Sequence, residues 1–111
     1  MEHPNIYRRA VVHYGEQRQL TKTLEELGAL AAALARWMGS QGGDMRARAQ
    51  LADHVSEEIA DVEIMLEQLK IILGERYEKY LEAKKAEKIG KLARYLTMVD
   101  PLEEPNESPA D

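Results

Sequence analysis

The sequence predicts an all-α protein of four helices, and three observations support this fold class. Alanine, leucine, glutamate, lysine and arginine dominate the composition, phenylalanine is absent, and the β-branched residues are scattered. The four prolines stand at positions 4, 101, 105 and 109, so residues 5–100 lack the strongest helix breaker. Apolar residues also recur at the three- and four-residue spacing that marks one face of a helix.

Glycine-containing breaks divide the chain into its elements. Gly15 separates the first two helices, and the glycine-rich run 39–43 forms the loop before the third. Asp44 is the expected N-cap of the third helix, and Gly74 is expected to end it. The helices are therefore predicted over residues 5–14, about 16–38, 45–73 and about 75–98.

The rest of the chain is a short tail. Residues 99–111 contain three prolines and several acidic residues, a composition typical of disordered segments. The predicted organisation is one helical domain over residues 1–98, followed by a disordered acidic tail over residues 99–111.

Composition also limits the function. The 111 residues fit one domain with a modest core, and the formal net charge of −5 argues against general nucleic-acid binding. Without cysteine, neither a disulfide nor a thiolate zinc site can form. The longest apolar run, residues 27–35, is too short to span a bilayer, and the first residues do not resemble a signal peptide. We expect a cytoplasmic protein with no membrane or nucleic-acid partner.

The second helix is apolar almost all round. One face carries mainly leucines, and the opposite side includes the small residues Gly28, Ala29, Ala32, Ala33 and Ala35. Such a helix is usually buried on several sides, which three other helices from one chain would not achieve. A homodimeric bundle is the resulting hypothesis. The leucine-rich face, called the leucine face below, consists of Leu20, Leu24, Leu27, Ala31, Leu34 and Met38.

The third helix places a carboxylate among its apolar residues. At 100° per residue, Glu58 falls inside the apolar stripe and Asp61 lies at its edge. A charge on such a face is costly unless it is paired or binds a metal. Antiparallel packing of the second and third helices could bring Glu26 opposite Glu58. The residues alone leave two alternatives open, a Mg²⁺ site or a buried pair with an arginine or lysine from another helix.

Two segments resemble a known family. Leu24-Glu25-Glu26-Leu27-Gly28, followed by Glu57-Glu58-Ile59-Ala60-Asp61-Val62, is similar to the motif of the MazG-like all-α nucleotide pyrophosphohydrolases. That motif is E-x-x-E on one helix and E-x-x-D on the next. The run Gly15–Leu20 and the basic stretch Lys84–Arg94 also resemble members of the family.

The resemblance implies a fold, a reaction and a metal. Members are four-helix bundles completed by dimerisation or assembled as tetramers, and they cleave nucleoside triphosphates to a monophosphate and pyrophosphate with Mg²⁺. Carried over, Glu26, Glu58 and Asp61 match three of the four motif carboxylates. The fourth position, three residues after Glu26, is Ala29. The expected Mg²⁺ site therefore has three metal-binding residues and one ligand absent.

Further residues receive candidate roles. Glu57 or Glu58 would orient or deprotonate the attacking water. His54 is a possible ligand or base, with a partly buried histidine as the simpler interpretation, and Trp37 could stack on a nucleobase or pack in the core. The candidate substrate-binding residues are Gln19, Lys22, Lys88 and Lys91.

Two functions are therefore expected from the sequence. The first is a Mg²⁺-dependent nucleotide pyrophosphohydrolase acting on a nucleoside triphosphate as a homodimer or homotetramer. The alternative is a degenerate, non-catalytic helical dimer of the same type that binds nucleotide or serves as an interaction module. Ala29 favours the alternative, whereas the three retained carboxylates favour the enzyme.

Overall fold

The computed structural model describes residues 4–99 and confirms the all-α class. Every described element is a helix, and the bounds differ from the predicted ones by one residue at most. None of the helices in this range combines the length and apolar character needed to cross a bilayer. The helices are α1 (Pro4–Tyr14), α2 (Glu16–Gly39), α3 (Met45–Leu73) and α4 (Glu75–Val99).

The helix boundaries follow from local chemistry. Gly15 has φ 92° and Gly74 has φ 102°, conformations that residues with a side chain rarely adopt. Each glycine N–H still donates to a carbonyl of the preceding helix, from Gly15 to Val11 at 2.9 Å and from Gly74 to Lys70 at 3.0 Å. Asp44 caps α3 as predicted, because its Oδ2 accepts the N–H of Ala47 at 3.0 Å.

The chain divides into two compact units at Gly74. The first contains α1, α2 and α3, and the second contains α4. Within its described residues, α4 has no buried side chain and carries an ion pair between Lys84 and Glu87 at 3.1 Å. The predicted disorder of the tail concerns residues that, apart from helical Val99, lie outside the described range.

In the first unit, α2 and α3 form the most extensive helix contact. Gln19 near the start of α2 meets Gln68 near the end of α3, whereas Trp37 near the end of α2 meets Arg48 near the start of α3. The contacts follow opposite orders along the two helices, so α2 and α3 are antiparallel. The structure therefore contains the antiparallel packing that was expected to bring Glu26 opposite Glu58.

The core of this unit is small and partly polar. The Gln19 amide donates to the Gln68 side-chain oxygen at 2.7 Å, which satisfies both groups inside the contact. Thr23 also avoids an unpaired hydroxyl, because it donates to the Gln19 carbonyl at 2.7 Å. The buried residues of the described chain are Val11, Ala33, Val62, Met65, Gln19, Thr23 and Gln68.

The face of α2 that packs within the chain is not the leucine face. The helix turns Gln19, Thr23 and Ala33 inward, and these small or hydrogen-bonded side chains permit close contact with α3. On the leucine face, by contrast, Leu24 is 71% exposed and Met38 is 61% exposed. One chain thus leaves a row of large apolar side chains on α2 in contact with solvent.

Candidate metal centre

The antiparallel contact brings together the three carboxylates that the sequence analysis singled out. Glu26 projects from α2, and Glu58 and Asp61 project from α3 at i and i+3 on one face. One carboxylate oxygen from each residue lies within 4.8 Å of the other two. We call these three residues the acidic triad.

The triad combines buried and exposed groups. The side chains of Glu26 and Glu58 are only 16% and 14% exposed, whereas Asp61 is exposed. Glu58 thus occupies the inward-facing position predicted from the helical wheel, and Asp61 lies at its edge. This arrangement gives a cation access from solvent to two largely buried carboxylates.

Glu58 carries the clearest signal of a missing partner. Its Oε1 atom is buried and has no hydrogen-bond partner among the described residues. A buried carboxylate oxygen without a partner loses its hydration and gains nothing in exchange. A bound cation would satisfy this atom, so the donor set fits a hard metal ion with oxygen ligands.

The dimensions of the triad also fit such an ion. Mg²⁺ binds oxygen at about 2.1 Å in octahedral geometry, so two ligand oxygens are about 3.0 Å apart when adjacent and about 4.2 Å apart when opposite. The three oxygens lie within 4.8 Å of one another, so side-chain movements alone would bring them to such spacings. The three residues present could therefore hold a metal ion.

Lys22 is the cation that the chain itself supplies to this site. Its Nζ lies 3.2 Å from Oε2 of Glu26, one turn further along α2. Hydrogen bonding to Glu26, and next the charge of that carboxylate, raise the pKa of Lys22 above its ordinary value of 10.5. Lys22 therefore remains charged and neutralises part of the triad. The alternative left open by the sequence, a pair of Glu58 and Asp61 with an arginine or lysine from another helix, is not found among the described residues, and the lysine pair that exists joins Lys22 to Glu26 within α2.

His54 lies beside the triad on α3. Its Nε2 is 3.7 Å from Glu58 and its Nδ1 is 3.7 Å from Glu57, both too long for hydrogen bonds. Glu57 is 75% exposed and does not belong to the triad. The structure therefore separates the two adjacent glutamates, with Glu58 facing the metal site and Glu57 facing solvent.

The candidate substrate residues fall into two groups. Gln19 and Lys22 line a groove of about 590 Å³ beside α2, although Gln19 is buried and hydrogen-bonded to Gln68. Lys88 and Lys91 lie on α4, where both are exposed.

Two further residues line this groove, Tyr14 and Arg18, and neither was predicted from the sequence. The Arg18 guanidinium lies over the Tyr14 ring, with its Cζ 5.2 Å from the ring centroid. A sequence signal was available, because Arg18, Lys22 and Glu26 follow one another at four-residue intervals and so share a face of α2. Trp37, the other aromatic candidate, is half-buried beneath Arg48 at 4.9 Å.

No family model, curated protein or solved structure gives a significant match to the chain.

The triad predicts a specific pattern of metal binding. Glu58→Gln should weaken Mg²⁺ or Mn²⁺ binding by at least about tenfold, since even changes outside the ligand sphere commonly cost 10- to 100-fold. Glu57→Gln is the matched control, because it makes the same change one residue away on an exposed side chain. It should bind the metal as the unaltered protein does. Calorimetric titration with Mn²⁺ measures both, and equal affinities in the two variants would contradict the assignment.

Proposed function

We propose that this protein is a Mg²⁺-dependent nucleotide pyrophosphohydrolase that cleaves a ribo- or deoxyribonucleoside triphosphate to the monophosphate and pyrophosphate. The observation that carries the proposal is the convergence of Glu26, Glu58 and Asp61, together with the buried, unpartnered oxygen of Glu58. The resemblance of the Glu57–Val62 segment to the MazG-like motif supports the same reaction.

The three carboxylates of the acidic triad are the proposed metal ligands. Mg²⁺ bound there would neutralise charge on the phosphate oxygens as the bridging bond breaks. The ligands come from two helices that pack against each other, so the α2–α3 contact fixes their spacing before substrate arrives. Lys22 contributes a further positive charge beside Glu26.

Glu57 is the proposed base for the attacking water. It is exposed on the solvent side of the triad, so it can exchange a proton with solvent, and His54 lies 3.7 Å from both Glu57 and Glu58. The water oxygen bonds to the α-phosphorus, its proton passes to the carboxylate, and pyrophosphate leaves with the bridging oxygen. Glu58 holds the metal in this assignment, which divides the two roles that the sequence analysis gave to the pair.

An activity assay tests this proposal. The purified protein is incubated with a panel of ribo- and deoxyribonucleoside triphosphates and Mg²⁺, and monophosphate and pyrophosphate are quantified by chromatography. Glu57→Gln should lower kcat by about 100-fold while metal binding persists, because a general base typically contributes that much. Glu63→Gln, an exposed change on the same helix, is the control. No pyrophosphate above background with any substrate would contradict the proposal.

A second candidate function is favoured by Ala29. This half-buried residue occupies the position of the fourth motif carboxylate, so the site has one ligand fewer than the motif provides. A non-catalytic member of the same type would bind nucleotide, or act as an interaction module, without hydrolysis.

Restoring the absent carboxylate separates the two functions. Ala29→Glu should tighten Mg²⁺ binding, because position 29 lies one turn from Glu26 on the same face. Ala29→Gln adds the same bulk without the charge and should not. Pyrophosphate release by both the unaltered protein and Ala29→Glu supports the enzyme. Release by Ala29→Glu alone would assign the unaltered chain to the non-catalytic class.

We further propose that the protein is a homodimer or homotetramer in which a second copy covers the leucine face. The exposed side chains Leu24, Leu27, Leu34 and Met38 form this apolar row, and a second copy presents the same row. The small, partly polar core of one chain favours the same arrangement, because little apolar area is buried without a partner.

Light scattering coupled to size exclusion tests the assembly. The unaltered protein should elute with at least twice the 12.6 kDa mass of the chain. Leu24→Glu should shift it to the monomer, because a charge would be buried in the apolar interface. Arg36→Glu places a glutamate at an exposed, already charged position on the opposite side of α2 and should leave the mass unchanged. A monomeric unaltered protein would overturn the proposal.

A further inference from the structure

A groove runs along α2 beside the acidic triad. It encloses about 590 Å³, and Lys22 and Glu25 belong to its lining. Because Lys22 also pairs with Glu26 of the triad, the groove and the candidate metal site adjoin each other. A substrate bound at the metal and extending along α2 towards its N-terminus would enter the groove.

Arg18 is the cation at the far side of this groove. Its guanidinium lies over the Tyr14 ring at 5.2 Å, and it forms no ion pair with an acidic residue of the described helices. A cation–π contact with the ring holds the guanidinium group near Tyr14 and leaves N–H groups available for other partners. An arginine held in this way suits bidentate recognition of a phosphate group.

Arg18, Lys22 and Glu26 form a row along one face of α2. They are four residues apart, so each step along the helix axis is about 6 Å and the row spans about 12 Å. The row begins at the metal-binding carboxylates and continues with two positive side chains. A chain of phosphates lying along it would meet the metal at one end and cations along the rest.

We propose that this groove binds the pyrophosphate end of the substrate, that Arg18 contacts its phosphates, and that Tyr14 is a positioning residue for Arg18. This inference rests on the proposed function and specifies the direction in which the triphosphate lies. The β- and γ-phosphates point along α2 towards Tyr14, and the nucleoside lies on the other side of the metal.

The lining of the groove favours phosphate over a nucleobase. The face of the Tyr14 ring that Arg18 covers is not available for stacking. Apart from Tyr14, Met65 is the one apolar residue of the lining; of its charged residues, Arg18 and Lys22 are positive and Glu25 is negative, which leaves a net positive charge. An anion next to Arg18 and Lys22 gains more in this environment than an uncharged base would.

Binding of the two reaction products tests the direction. Calorimetry in the presence of Mg²⁺ measures inorganic pyrophosphate and, separately, the four deoxynucleoside monophosphates. Arg18→Met should weaken pyrophosphate binding by about tenfold or more, the loss expected for a charge-assisted contact. Arg36→Met is the control, because it makes the same change on the same face of α2 five turns away, outside the groove.

A second set of variants tests whether Tyr14 acts by positioning Arg18 or only by packing against its neighbours. Tyr14→Leu should weaken pyrophosphate binding, because Arg18 loses the ring that orients it. Tyr14→Phe should restore the affinity, because the ring remains and only the hydroxyl is lost. In the Arg18→Met background, Tyr14→Leu should have no further effect, since the positioned group is already absent.

The outcomes distinguish this inference from the proposed function. Equal pyrophosphate affinities of Arg18→Met and the unaltered protein would overturn the inference alone. Weaker monophosphate binding with unchanged pyrophosphate binding would also overturn it, because the groove would then hold the nucleoside end. A protein that binds neither Mn²⁺ nor any product would overturn the proposed function itself.

Discussion

The antiparallel contact between α2 and α3 determines most of what this protein presents to a ligand. It is fixed at separate points along its length, by the hydrogen bond between Gln19 and Gln68 at one end and by Arg48 over Trp37 at the other. Between these points lies the acidic triad. A shift of either helix by one residue would turn the carboxylates of α3 away from Glu26, so register and site depend on the same contacts.

The same contact explains the unequal burial of the helices. The inward face of α2 is narrow because it uses alanine, threonine and a paired glutamine, which permits close approach but buries little apolar area. The large apolar residues, such as Leu24 and Met38, remain outside. A site that gathers three negative charges within 4.8 Å also opposes compaction. In our proposals, a second chain covers the exposed apolar residues of α2, and a bound cation neutralises the three carboxylates.

Local chemistry made much of this structure predictable. Gly15, Asp44 and Gly74 fixed helix ends, and the helical wheel of α3 placed Glu58 inward because its neighbours are strongly apolar. The inward face of α2 was not predictable, since a helix apolar nearly all round gives no preferred side. The groove beside Arg18 was not predictable, because Tyr14 and Arg18 lie on either side of the break at Gly15, where helical periodicity no longer applies.

Anomalous diffraction from a crystal containing Mn²⁺ tests the central claim most directly, because it locates the ion independently of activity. We predict an anomalous peak within bonding distance of one carboxylate oxygen from each of Glu26, Glu58 and Asp61. The oxygen contributed by Glu58 should be Oε1, the atom that otherwise has no hydrogen-bond partner among the described residues. Saturating Mn²⁺ with no peak at the triad, and Glu26 still paired only with Lys22, would contradict the account.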